Sequence, residues 1–287
     1  MWSRPVTVCE KYGLNLRVTE WSRRGFPCLL IHGFGDASGV WRHLATRLMA
    51  EFHVVGMDLR GHGDSDWDPE HRYDTDTFSA DLNQVVATFG FERMILVGHS
   101  FGAEMAIYFA ASHPSRVAGL VIADYGHELS KLGIDHVKSG FLEMPRSFAS
   151  VDEYTQWLIA RRPLADQKQL EHFARQGLRP LSAAEWRVKT DPALADSPVM
   201  NRAGNSDRYV DPALWEAFKR IVCPILVVRG GISSVLPPDV ARRMVESAAA
   251  GSRAATIRGA GHAVMMDNPV EFTEVVARFV RDRNTTA

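Results

Sequence analysis

The sequence predicts an α/β protein: a mostly parallel, twisted sheet of about eight strands, helices on both faces, and one helical insertion. Three observations carry this. Short apolar runs alternate with longer amphipathic ones, the pattern of parallel strands joined by right-handed helical crossovers. The first two strand-like runs have no helix between them, so they form an antiparallel edge. Residues 126–210 break the alternation, which marks them as an insertion into the sheet.

Taken in order, residues 6–9 and 14–21 read as the opening strands, and 28–31 as a compact apolar strand ending at His32-Gly33. Residues 40–49 have helical spacing and 52–57 are the next strand. Over 77–89, Phe78, Leu82, Val85, Val86 and Phe89 recur at three- and four-residue steps, one face of a helix. A strand at 94–97, a helix at 103–111 and a strand at 117–123 follow. Beyond the insertion, strands at 225–228 and 254–257 alternate with helices at 238–249 and 269–281.

The insertion shows no strand-like alternation. It carries the aromatics Phe141, Tyr154, Trp157, Phe173 and Trp186, and is interrupted by Pro145, Pro163, Pro180, Pro192 and Pro198. The chain therefore divides into a core, 1–125 with 211–287, and a helical cap, 126–210. The cap follows a core strand, so it is expected over the carboxyl ends of the strands, where open α/β sheets bind ligands. Tyr154, Trp157 and Trp186 are the candidate substrate-binding residues there, although such aromatics also build a cap's own core. Between Lys131 and Lys189 ten Lys or Arg stand against seven Asp or Glu, densest at Arg161-Arg162. That excess suits an anionic substrate or an acidic carrier protein; a solvated helical face is the competing reading.

A net charge of −1 over 287 residues, without a basic stripe, excludes a nucleic-acid binder. No apolar run follows the first residues as in a signal peptide, and none approaches the roughly 18 residues of a membrane span, so a cytoplasmic protein is expected. Cys9, Cys28 and Cys223 lack C-x-x-C spacing and read as small buried hydrophobes in a reducing compartment.

The chemistry centres on Gly98-His99-Ser100-Phe101-Gly102. Between a strand and a helix, this G-x-S-x-G pattern is a sharp turn that holds the serine hydroxyl out at the top of the sheet. A serine hydroxyl is a weak nucleophile near neutral pH, so it needs a base, and the base needs an orienting acid. His262, after Gly259-Ala260-Gly261 and before the last helix, is the best base. His32 and His99 flank turn glycines and are expected to bond to backbone, and His62 to be structural.

With His32-Gly33-Phe34-Gly35, Asp58-Leu59-Arg60-Gly61-His62-Gly63-Asp64-Ser65 and Met266-Asp267-Asn268-Pro269 added, the chain resembles the capped, cofactor-free serine hydrolases of the α/β-hydrolase-fold superfamily. The resemblance implies the order Ser, acid, His. It usually places the acid as Asp in the loop after strand 225–228, where this chain has Ser233. Some relatives, including haloalkane dehalogenases and certain polyketide chain-releasing thioesterases, carry the acid at the end of the strand after the nucleophile helix. Here that position is Asp124, which we take as the acid, with Glu128, Asp239 and Asp267 as rivals; Asp267 reads better as a cap of the last helix. The resemblance further implies an oxyanion hole from the backbone N–H groups of Phe34 and Phe101.

The implied reaction is hydrolysis of a carboxylic ester or thioester through an acyl-enzyme, on a small acyl substrate, free or carrier-linked. Carbon–carbon bond hydrolysis, lactone hydrolysis or a non-catalytic ligand receptor are the alternatives. Serine at the elbow argues against dehalogenase and epoxide hydrolase chemistry, which use Asp there in this fold. No metal cluster and no nucleotide-binding glycine loop are present in the sequence, so no cofactor is implied.

Overall fold

Parallel strands covered on both faces must be apolar along their whole length, and the central strands of this chain are. The computed structural model describes residues 2–7, 13–182, 184–201 and 207–284. Its strands open with β1 (Trp2–Thr7), β2 (Asn15–Glu20), β3 (Phe26–Ile31), β4 (Phe52–Met57), β5 (Met94–His99) and β6 (Val117–Ala123). Short strands follow between β6 and the next long one: β7 (Glu128–Ser130), β8 (Ser147–Phe148), β9 (Leu178–Ser182), β10 (Glu185–Val188) and β11 (Arg208–Val210). The chain returns to the main sheet with β12 (Ile225–Gly230) and β13 (Arg253–Ile257). Every residue of β5 and of β6 is buried.

The main sheet has eight strands in the order β1-β2-β4-β3-β5-β6-β12-β13. The pairs β1–β2 and β2–β4 are antiparallel and all others parallel, so the antiparallel edge is where the sequence placed it. The first strand spans Trp2–Thr7 rather than 6–9, and Cys9 lies outside the described residues. The long connections carry α1 (Arg42–Leu48), α2 (Thr75–Phe89) and α3 (Phe101–Ser112); α1 is preceded by a short 3-10 turn, Ser38–Trp41, which overlaps the start of the run read as one helix. Asp74 caps α2 by accepting from the Thr77 N–H, and Gly90 closes it in the left-handed region at φ 63°.

The insertion holds α4 (Lys131–Leu142), α5 (Val151–Arg161) and α6 (Gln167–Gly177). It also holds two small antiparallel sheets, β8-β10-β9 and β11-β7, where the sequence reading expects no strands. The physical reason is exposure. Four of the five β9 residues face solvent and include Arg179 and Pro180, so no alternation marks the strand. After the insertion come α7 (Pro212–Lys219), α8 (Pro238–Glu246), the one-turn α9 (Val264–Asp267) and α10 (Pro269–Asn284). Helices α2 and α7 pack on α3, α1 packs on α10, and both faces of the sheet are covered.

Arg60 shows why the loop after β4 holds its shape. Its guanidinium is fully buried and forks onto both oxygens of Asp81 in α2, at 2.6 Å each, while Nη1 donates to Asp68 at 2.7 Å. Buried charge is tolerated because every charged partner is matched. No helix among the described residues is long and apolar enough to cross a membrane.

Candidate active site

Ser100 joins β5 to α3 with φ 51° and ψ −123°, a conformation that costs a non-glycine residue on the order of 1–3 kcal/mol. Its neighbours make the turn possible. A Cβ on Gly102 would lie 2.3 Å from the Ile31 carbonyl oxygen and 2.4 Å from that of His32. A Cβ on Gly98 would lie 2.5 Å from Ala103 Cα. Only glycine lets β5, α3 and the end of β3 meet this closely. The turn is tied down by the Ser100 N–H, which donates to the Ala123 carbonyl at 3.1 Å at the end of β6.

Asp124 follows immediately, also at positive φ (50°), and is fully buried. Its carboxylate is held on three sides. Oδ1 accepts from the Gly230 N–H at 3.0 Å. Oδ2 accepts from the Ser233 hydroxyl and from His262 Nδ1, the latter at 2.8 Å. The Val235 N–H donates to Ser233 Oγ at 3.1 Å and aims that hydroxyl's proton at the carboxylate. Ser233, standing where the resemblance places the acid, thus supports Asp124 instead.

The bond to Asp124 sets the histidine tautomer. With Nδ1–H donating to a carboxylate, neutral His262 keeps its lone pair on Nε2, the nitrogen available to take a proton. The loop beneath it is fixed twice: His99 Nε2 donates to the His262 carbonyl at 2.9 Å, and the Gly261 N–H donates to Asp267 Oδ2 at 2.8 Å. Asp267 is therefore not the cap of the last helix. Asn268 takes that role by accepting from the Glu271 N–H at 3.2 Å, and Asp267, whose carboxyl burial pushes up, braces the histidine loop. The other rival acids are committed elsewhere: Glu128 pairs with Arg208 and Arg243, and Asp239 with Arg208.

His32, His62 and His99 bond to backbone as expected. His32 accepts from the Leu59 N–H at 2.9 Å and bonds the Gly33 carbonyl at 2.7 Å. His62 accepts from the Gly35 N–H at 3.0 Å and bonds the Arg60 carbonyl at 2.9 Å. Together they clamp the segment that carries Phe34. Burial pushes all three rings down, His32 to about 4 and His62 and His99 to about 3. The folded chain keeps them neutral, while the unfolded chain protonates them near the ordinary value of 6.5. Below that value the unfolded state holds more protons, so stability must fall as pH drops toward 4, by about 1.4 kcal/mol per pH unit for each ring. Urea unfolding is expected to show a lower midpoint at about pH 5 than at about pH 7; equal midpoints would contradict this account.

Ser100 and His262 line one cavity of about 470 Å³, bounded by core loops on one side and by α4 and α5 on the other. Phe34, Tyr154 and Trp157 line it too; Tyr154 and Trp157 stack with ring centroids 6.3 Å apart. Trp186 does not belong with them. It sits in β10 against β8 and β9, partly buried on the hydrophobic core, and is not among the residues that line this cavity. An aromatic in an unrecognised strand of the insertion could not be told from a cavity wall by spacing. Phe101, first residue of α3, is buried beneath Ser100 with its ring centroid 6.2 Å from that of Phe34.

One feature of this cavity carried only a charge signal in the sequence. Arg162 lines it and donates from Nη2 to Asp36 Oδ1 at 2.9 Å, joining the end of α5 to the loop after β3. Against the effect of burial, the Arg162 guanidinium holds the Asp36 carboxyl below its usual range. Arg161, next to it, also lines the cavity and pairs with Glu143. No group of three His, Cys, Asp or Glu among the described residues could hold a metal ion.

A family profile described as alpha/beta hydrolase fold matches residues 27–269. The chain belongs to the α/β-hydrolase fold family. Among its relatives is an uncharacterized protein of Mycobacterium tuberculosis, 28% identical over 298 residues, covering 96% of this chain and 84% of that one. The 2-(acetamidomethylene)succinate hydrolase of Mesorhizobium japonicum is 27% identical over 208 residues, covering 72% of this chain and 71% of that one. Among solved structures, an E-2-(acetamidomethylene)succinate hydrolase superposes with a TM-score of 0.85 at 24% identity, covering 98% of this chain and 99% of that one. In this α/β hydrolase Ser100, Asp124 and His262 lie beyond the carboxyl ends of β5, β6 and β13.

Proposed function

We propose that this α/β hydrolase cleaves carboxylic esters or thioesters through a covalent acyl-enzyme. The observation that supports the reading best is the bond from buried Asp124 to His262 Nδ1, beside a serine held at positive φ in the same cavity as that histidine. In this reading Ser100 is the nucleophile, His262 the base and Asp124 the orienting acid. His262 Nε2 takes the Ser100 proton as Oγ attacks the carbonyl carbon. The resulting oxyanion accepts from the backbone N–H groups of Phe34 and Phe101, and removing one such donor costs roughly 2.7–4 kcal/mol of transition-state stabilisation. His262 returns the proton to the departing alkoxide or thiolate, then takes one from water, which attacks the acyl carbon; the acyl–Oγ bond breaks, His262 gives that proton to Ser100 Oγ, and the acid is released. Asp124 stays ionised and stabilises the imidazolium.

Residues 126–210 act as a cap, and Tyr154 and Trp157 form the wall over the leaving group. Serine at the elbow, in place of aspartate, disfavours epoxide opening by an alkyl-enzyme ester. Cys28 and Cys223 are buried free thiols, which suits a reducing cytoplasm. A second reading, the same residues acting on a bond other than an ester, is favoured by the relative named 2-(acetamidomethylene)succinate hydrolase. The test offers purified protein a panel of p-nitrophenyl esters, acyl thioesters and a fluorophosphonate. Ester or thioester turnover with fluorophosphonate labelling at Ser100 is expected. Labelling without turnover of any ester or thioester would favour the second reading, and neither labelling nor turnover would favour a non-catalytic receptor.

A further inference from the structure

Ser100 does not face one cavity but two. Besides the large one it shares with His262, it lines a smaller cavity of about 70 Å³ on its other side. Phe34 and Val137 line both, while Phe101 lines only the small one and His262 only the large one. The rest of the small cavity's wall is mostly carbon, with Leu129, Ile134, Val199 and Met200 among its residues. Glu104, Tyr125, Lys138 and Tyr209 also line it, and the Tyr125 hydroxyl donates to Glu104 Oε2.

This arrangement gives the two halves of a substrate different places, resting on the reading of Ser100 as nucleophile. The group that departs must receive a proton from His262, so its first atom has to lie on the histidine's side. The other substituent of the carbonyl carbon then points away from His262, past Phe101. We infer that the small apolar cavity is the acyl subsite, that it takes a short unbranched hydrocarbon acyl chain, and that the leaving group occupies the large cavity under the cap. A water-sized group needs about 10–15 Å³ of such space, so a cavity of about 70 Å³ admits an acyl chain of about five to seven carbons. The large cavity, which also holds Arg162 and Asp36, sets no comparable limit on the leaving group.

The test holds the leaving group constant and varies the acyl chain. For p-nitrophenyl esters from acetate to decanoate, kcat/KM is expected to peak between pentanoate and heptanoate and to drop at least about tenfold by decanoate. Ile134 lines only the small cavity. Ile134→Ala is expected to lengthen the preferred chain by about two carbons, and Ile134→Phe to shorten it. Labelling rates with alkyl fluorophosphonates of the same lengths should follow the same order, and thermal melts verify that each variant is folded. A profile that is flat, or unmoved by both Ile134 variants while Ser100 still labels, overturns the inference and leaves the nucleophile assignment standing. A preferred length that moves with Trp157→Ala in the large cavity instead reverses the two subsites. Absence of turnover and of labelling at every length overturns both the inference and the proposed function.

Discussion

Replacing Ser100 with alanine is expected to lower kcat/KM for p-nitrophenyl esters by roughly 10⁴–10⁶-fold, with no loss of stability. The size follows from the chemistry. Without Oγ there is no acyl-enzyme, and only binding and oxyanion stabilisation of direct water attack remain. The stability expectation follows from the backbone: alanine keeps the Cβ that the turn at φ 51° already accommodates. The Ser100 N–H bond to Ala123 is likewise untouched. Melting temperature and rate measured on the same preparation separate the two effects. A variant retaining more than about a hundredth of wild-type activity would remove Ser100 from the mechanism.

The second large effect concerns the acid. Asp124→Asn is expected to cost about 10⁴-fold in kcat. Its carboxylate accepts from Gly230, Ser233 and His262, three donors that already fill the site. An asparagine amide brings two N–H groups where only acceptors fit. If its nitrogen faces His262, it donates to Nδ1, the proton shifts to Nε2, and the ring can no longer take the serine proton. Turning the amide over instead sets its N–H against the Gly230 N–H. Ser233→Ala is the matching control. It removes one hydrogen bond to a carboxylate that keeps two others, so a loss within about tenfold is expected. Near-normal kcat in Asp124→Asn, or equal damage from Ser233→Ala, would refute the placement of the acid.

The pairing of Asp124 with His262 is legible because two sequence facts point the same way. A serine stands at position 233, and an aspartate ends the strand after the nucleophile helix. The structure adds how the exchange works, since the serine became a donor to the displaced carboxylate. The elbow and its glycines were readable because close backbone approach leaves glycine no substitute at Gly98 and Gly102. The buried β5 and β6 were readable because unbroken apolar runs have few other uses.

What escaped the sequence shares one cause: small elements settled by tertiary contact rather than by pattern. Strands β8, β9 and β10 are too short and too exposed to alternate, so the packing of Trp186 within them is not legible from spacing. Asp267 looked like a helix cap beside Pro269, yet Asn268 caps, because the Gly261 N–H drew Asp267 toward the histidine loop. The Arg162–Asp36 pair joins residues 126 positions apart, a distance across which charge counting is blind. Neither could spacing reveal that Ser100 borders two cavities of unequal size.

The measurement closest to the central claim is intact-mass spectrometry of wild-type protein quenched in acid during turnover of p-nitrophenyl butyrate. The account predicts a fraction of chain heavier by one butyryl group, with peptide mapping placing the adduct on Ser100 and no adduct in Ser100→Ala. Steady turnover with no adduct under rapid quench, or an adduct on another residue that persists in Ser100→Ala, would contradict it.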